Sequence, residues 1–269
     1  LNKNFSVSLS LGRGTRSPDM TERFIILLPV GYDNYDYLVN PKLKPETNKQ
    51  VDLTFKYDSK KIGLVQVNGF YSIVNNYITG KLLPPSEQKP LTVGVEGVKQ
   101  FSNSGNGQLR GFELAYSLPL DMKFGLNVFA SYTYGTLNET TKFIRSSSGE
   151  ITGEEEIYSD PIAEIPPFEA SMILSYRFFK NKLVPKFTLR WVADKTKVSE
   201  AQFENGSPGF IVTDFSLYYS FNRYFRVSCG INNLLDTAYY EHLNRNIVGT
   251  NMNLYEPGRV FYFNLMFQI

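Results

Sequence analysis

The 269 residues hold a single cysteine, a single histidine and a single tryptophan. A lone cysteine, Cys229, cannot close an internal disulfide, so it says little about redox compartment. With one histidine, His242, and one cysteine, most catalytic triads and thiol mechanisms are excluded, and the chain reads as no enzyme. Long apolar runs are lacking too. The longest, Phe24–Leu28, has five residues, whereas a membrane-spanning helix needs roughly 20. Formal net charge is only +2, so no basic field points to nucleic acid. The Gly12-Arg13-Gly14 pair does not lead from a strand into a helix, as a phosphate loop must. A start methionine and a signal peptide are also missing, which suggests a fragment of an exported protein.

Aromatic residues are plentiful instead, with 21 Phe and 18 Tyr. They alternate with polar residues. From Arg259 to the end, Phe261, Phe263, Leu265, Phe267 and Ile269 fall on one face and Val260, Tyr262, Asn264, Met266 and Gln268 on the other. Period two over that length predicts an extended strand with a different solvent on each face, long enough to cross a bilayer at a tilt. Nine earlier segments repeat the pattern, with apolar faces at Phe5–Leu11, Val51–Tyr57, Val65–Ile73, Phe112–Leu118, Phe124–Tyr134, Ala170–Phe178, Phe187–Trp191, Ile211–Tyr219 and Phe225–Ile231. The charged residues Asp52, Lys56, Glu113, Glu169, Arg177, Lys186, Arg190, Asp214 and Arg226 all fall on the polar faces. A one-residue slip would carry them into lipid.

The connections alternate in length. Short polar turns are expected at 58–61, 119–122, 179–182 and 222–224, and long loops at about 13–45, 80–100, 138–167, 198–207 and 236–255. Short turns on one side and long loops on the other are the signature of an outer-membrane barrel. The expected fold is therefore an all-β antiparallel transmembrane barrel wall of about ten strands.

Five stretches, in order, resemble the C-terminal part of the TonB-dependent outer-membrane receptor family. They are Leu11–Met20, Asn40–Glu46, Arg110–Leu114, Asn232–Asp236 with Tyr239-Tyr240, and Pro257–Arg259 with the final strand. The resemblance implies that residues 1–269 are the C-terminal half of a 22-stranded barrel with a plugged lumen. The N-terminal plug, the first barrel half and the TonB-contacting segment have no counterpart in this chain. Open sheet edges are not tolerated in lipid, so the implied partners are membrane lipid, the other barrel half with its plug, and, through them, the TonB complex. A ten-strand barrel closed on itself is physically allowed. The implied activity is energy-coupled uptake of a scarce nutrient, a metal chelate or metal ion, with no cofactor. A passive porin, or a structural or secretion-associated barrel with a partner in its lumen, are the alternatives.

Candidate substrate contacts lie in the long loops. Met20 and Met252 offer soft thioether sulfur that suits Cu(I), and Ser17–Arg23 looks closest to a copper-associated subgroup of the family. Tyr32, Tyr35, Tyr37, Tyr239 and Tyr240 offer aromatic faces with polar tips that either grip a substrate or girdle the membrane interface. His242 is either a ligand or a packing residue, and a loop methionine is either a ligand or apolar filler. The acidic run Glu154-Glu155-Glu156 reads as a solvated tip.

Overall fold

Alternating segments pair when apolar positions face apolar positions across each ladder, and nine successive pairings here do so. The computed structural model describes residues 3–24, 35–119, 123–147, 151–244 and 252–268. Tyr32, Ile269 and most of the 119–122 turn lie outside the described residues. In chain order the elements begin β1 (Phe5–Arg16), α1 (Met20–Phe24), β2 (Tyr35–Leu38), β3 (Glu46–Ser59), β4 (Gly63–Asn75), β5 (Ile78–Leu83) and β6 (Gly97–Asn103). They continue β7 (Asn106–Ser117), β8 (Phe124–Arg145), β9 (Ile151–Pro161), β10 (Glu169–Tyr176), β11 (Leu183–Val192), β12 (Phe210–Ser220), β13 (Phe225–Asn232) and β14 (Val260–Phe267).

Ten of these form one antiparallel path, β1-β3-β4-β7-β8-β10-β11-β12-β13-β14, the number expected from the alternation. On one face the register runs Leu9↔Leu53, Phe55↔Val67, Val67↔Leu114, Leu114↔Ala130 and Val128↔Met172. It continues Leu174↔Phe187, Phe187↔Phe215, Leu217↔Cys229 and Cys229↔Phe263. The opposite face runs Thr54↔Asn68, Asn68↔Glu113, Glu113↔Ser131 and Ser131↔Glu169. Since the side-chain period is two, the sheet keeps one continuous apolar face and one continuous polar face. Leu9 and Phe261 on the apolar face are 66% and 70% exposed, so that face is not covered by protein. Among the described residues β1 pairs only with β3 and β14 only with β13, so the sheet is open at both edges.

Two aromatic residues on the polar face have a local cause. Phe70 is in register with Gly111, and Tyr262 with Gly230. A Cβ on Gly111 would lie 2.7 Å from the Phe70 ring, and one on Gly230 would lie 2.5 Å from the Tyr262 hydroxyl. Each ring lies over a glycine on the neighbouring strand, covering backbone that no side chain protects.

The long-loop side departs from expectation. The segment 138–167, expected as a loop, is largely strand: β8 runs on to Arg145 and pairs with β9. Likewise β5 and β6 occupy both ends of the expected 80–100 loop, and with β2 they form a second, three-stranded sheet in the order β2-β6-β5. Tyr35, Tyr37, Leu82 and Phe143 make its buried core. In these extensions both faces of a strand meet water or protein. The apolar–polar contrast that marks the ten strands of the large sheet then fades. The run Glu154–Glu156 is exposed, as expected of a solvated tip, but it lies within β9.

Candidate functional site

Three polar knots hold the long-loop end together. The first centres on Arg16, the last residue of β1, which is in register with Glu46 at the start of β3. Its Nε donates to Glu46 Oε2 at 2.6 Å, and its Nη1 donates to both Glu22 oxygens at 3.0 and 3.1 Å. Glu22 is placed by a reciprocal cap: its backbone N–H donates to Asp19 Oδ1, while the Asp19 N–H donates to Glu22 Oε2, both at 2.8 Å. This is the D-x-x-E form of a capping box. Glu46 also accepts the Ile78 N–H at 2.6 Å, which fixes the start of β5. The Leu11–Met20 and Asn40–Glu46 motifs are thus two halves of one structural joint.

The second knot explains the Asn232–Asp236 and Pro257–Arg259 motifs. Asn233 adopts φ +51° and is buried. Its Oδ1 accepts the Thr237 N–H at 2.8 Å and its Nδ2 donates to the Thr237 carbonyl at 2.9 Å. Its own N–H donates to Asp214 Oδ1 at 2.8 Å, and Asp236 Oδ1 accepts the Arg259 N–H at 2.8 Å. Together these bonds set the exit from β13 against the entry to β14.

The third knot joins separate loops. Buried Asp160, at the end of β9, accepts the Ser199 hydroxyl at 2.5 Å and the Glu200 N–H at 2.9 Å. Glu204 accepts the N–H groups of Glu164 at 2.7 Å and Ser199 at 2.8 Å. His242 reaches Glu204 through Nε2 at 3.0 Å and Ser207 through Nδ1 at 3.1 Å. Gln202 Nε2 donates to the Gly80 carbonyl at 2.9 Å, and Lys142 pairs with Glu200. The next residue to His242, Glu241, binds Arg190 at 2.5 Å, and Arg190 also forks onto Glu169 at 2.8 Å through two nitrogens. The loop after β13 is therefore tied both to the sheet's polar face and to the loop after β11.

Burial pushes the Glu204 carboxyl up, but the His242 imidazole and the two backbone amides outweigh it and hold the group below its ordinary value of 4.5. A depressed folded-state value means that the contribution to stability is present above pH 4.5 and is lost as pH falls below it. Amide protection factors in 199–207, corrected for the intrinsic exchange rate at each pH, should therefore stay high through neutral pH and fall below pH 4.5. Glu204→Gln should remove that acid dependence. An unchanged acid profile in the variant would refute the assignment.

The first and third knots border a cavity of about 390 Å³, whose walls include Glu22, Tyr35, Tyr37, Tyr77, Thr79, Lys99, Gln202 and Glu204. The Lys99 ammonium sits 4.1 Å from the Tyr35 ring centroid, a cation–π contact inside the wall. The structure thus places Tyr35 and Tyr37 in the core of the small sheet with one side toward this cavity. Tyr239 packs against Phe210 with the rings tilted and their centroids 4.4 Å apart, beside Arg190, and Tyr240 meets Tyr255 edge-on at 5.5 Å. His242 has both ring nitrogens engaged, which favours its packing role over a ligand role. Met20, in α1, and Met252 are 73% and 63% exposed. Among the described residues, no group of three or more His, Cys, Asp or Glu side chains is placed to hold a metal ion. Reasoning from the sequence overlooked Arg16, Glu22, Asp160, Glu204 and Gln202. Only Asp19-x-x-Glu22 carried a readable signal, its capping spacing.

Solved structures share this architecture. A copper transporter, OprC, superposes with a TM-score of 0.75 at 24% identity, over 99% of this chain and 38% of its own. A mutant of the ferric enterobactin receptor of Pseudomonas aeruginosa gives 0.66 at 17% identity, over 99% and 38%. The FrpB iron transporter of Neisseria meningitidis gives 0.65 at 17%, over 99% and 37%. The chain therefore spans well under half the length of each. A search of curated proteins gave no match. A sequence profile described as "TonB dependent receptor-like, beta-barrel" matches residues 1–234. This chain belongs to the TonB-dependent receptor-like β-barrel family.

Proposed function

We propose that this chain supplies ten strands of an outer-membrane receptor barrel of 22, which takes up a metal ion or metal chelate by TonB-coupled transport. The observation that carries the reading is the open ten-strand sheet. Its uncovered apolar face suits lipid, and its two edges are unpaired, which further strands would complete, because unpaired backbone is not tolerated in hydrocarbon. In this reading the polar face lines a lumen, a plug and twelve more strands complete the barrel, and the knotted loops face outward. The three solved relatives transport copper, ferric enterobactin or iron according to their names. Copper is the first cargo to test, because Met20 and Met252 present thioether sulfur on the long-loop side.

The test is uptake by cells carrying the whole gene, with and without TonB, supplied with copper or with ferric chelates. Accumulation that requires both the receptor and TonB supports the reading, and TonB-independent passage would identify a porin. For the copper refinement, metal analysis of the purified receptor should show copper reduced at least tenfold in the Met20→Ala, Met252→Ala double variant. Unchanged copper content would remove these two residues from the site.

A further inference from the structure

We infer that the outward face of this barrel carries a docking site for a phosphate-bearing, anionic lipid just beyond its apolar band, at the long-loop rim. The inference rests on the proposed membrane embedding. The outward columns of three strands are apolar for several positions and then end in a cation. Phe5, Val7, Leu9 and Leu11 on β1 are followed by Arg13. Tyr57, Phe55, Leu53 and Val51 on β3 are followed by Lys49, and Tyr116, Leu114 and Phe112 on β7 by Arg110. A fourth cation, Lys197, enters from the loop after β11. Its Nζ lies 5.0 Å from the Tyr134 ring centroid, and the Arg110 guanidinium lies 5.5 Å from the same ring.

All four side chains are exposed. Arg13 and Lys49 are direct cross-strand partners, and like charges in that position repel. By contrast Arg16 is compensated by Glu22 and Glu46, and Arg190 by Glu169 and Glu241. Among the described residues these four have no acidic partner. From β1 to β7 is three strand steps, so the patch is about 15 Å across. Clustered cations beside an apolar lipid-facing band, with an aromatic ring between two of them, complement an anionic headgroup whose acyl chains lie along that band.

The whole receptor in detergent would be titrated with a short-chain phosphatidic acid, with phosphatidylcholine of the same chains, and with inorganic phosphate, and bound species counted by native mass spectrometry. Wild type should bind phosphatidic acid at least tenfold more tightly than phosphatidylcholine. R13Q/K49Q/R110Q/K197Q should lose that preference, while K60Q/K61Q at the short-turn end should keep it. The pairs R13Q/K49Q and R110Q/K197Q carry the same test if the quadruple variant does not fold, each then giving a partial loss. A preference retained in the variants, or lost equally in K60Q/K61Q, would overturn the site. Equal binding of inorganic phosphate would also overturn it, leaving an adventitious anion site. Lipid preference is read without transport, so failed uptake with intact lipid selectivity would count against the transport reading alone.

Discussion

Phe187→Arg should destabilise the barrel by about 2–4 kcal/mol, whereas Thr188→Arg, one residue along, should change stability by no more than about 0.5 kcal/mol. Phe187 stands on the apolar face between Leu174 and Phe215. A guanidinium there must either enter hydrocarbon or pull the strand toward an interface. Thr188 stands on the polar face opposite Asp214, where an arginine meets water and a carboxylate. Urea-driven unfolding of the whole receptor in lipid vesicles measures both variants under one set of conditions. Equal effects would mean that the two faces do not meet different solvents, and the membrane reading would fall with that result.

Arg16→Ala should cost about 2–3 kcal/mol, less than the loss of a fully buried partner because the Arg16 side chain is 46% exposed. The expected loss comes mostly from what remains. Glu22 and Glu46 are buried at 8% and 9% exposure, and without the guanidinium their charges face each other with only backbone amides to hold them. Arg16→Lys should recover little, since an ammonium cannot fork toward two carboxylates in fixed directions. Arg16→Ala combined with Glu46→Gln should be less damaging than the sum of the two changes. Hydrogen exchange at the Ile78 amide reports the joint directly, because that N–H donates to Glu46. If exchange there and global stability are both unmoved by Arg16→Ala, the joint is not structural.

The ten strands of the large sheet were readable from sequence because their two faces differ in chemistry. An apolar face and a polar face impose the alternation seen in Phe261–Phe267, and exclusion of charge from the apolar face fixes the register. The same reasoning missed the small sheet and the extension of β8. Residues such as Thr140, Thr141 and Lys142 meet similar surroundings on both sides and carry no period. The burial of Tyr35 and Tyr37 was not legible because composition reports an aromatic ring without saying what covers it. In the structure Phe143, over a hundred residues away in sequence, packs against them. The site was less legible again. Glu204 acquires its partners from Glu164, Ser199 and His242, which lie on three different connections, and no local pattern announces such a meeting. The motifs in Asn40–Glu46 and Asn232–Asp236 were visible but mute: they turned out to be joints between chain segments.

The shared bonding of Asp160, Glu204, Gln202 and Arg190 has a consequence for how such a receptor changes over evolutionary time. Loops that fold independently can be exchanged singly, each trial leaving its neighbours intact. Here the connections after β4, β8, β11 and β13 are bonded to one another or to the barrel wall. A substitution that reshapes one of them removes a bonding partner from another. Under the proposed uptake role, divergence toward a new cargo is then expected to proceed by coordinated replacement across several connections, with His242 and Glu204 kept or lost together.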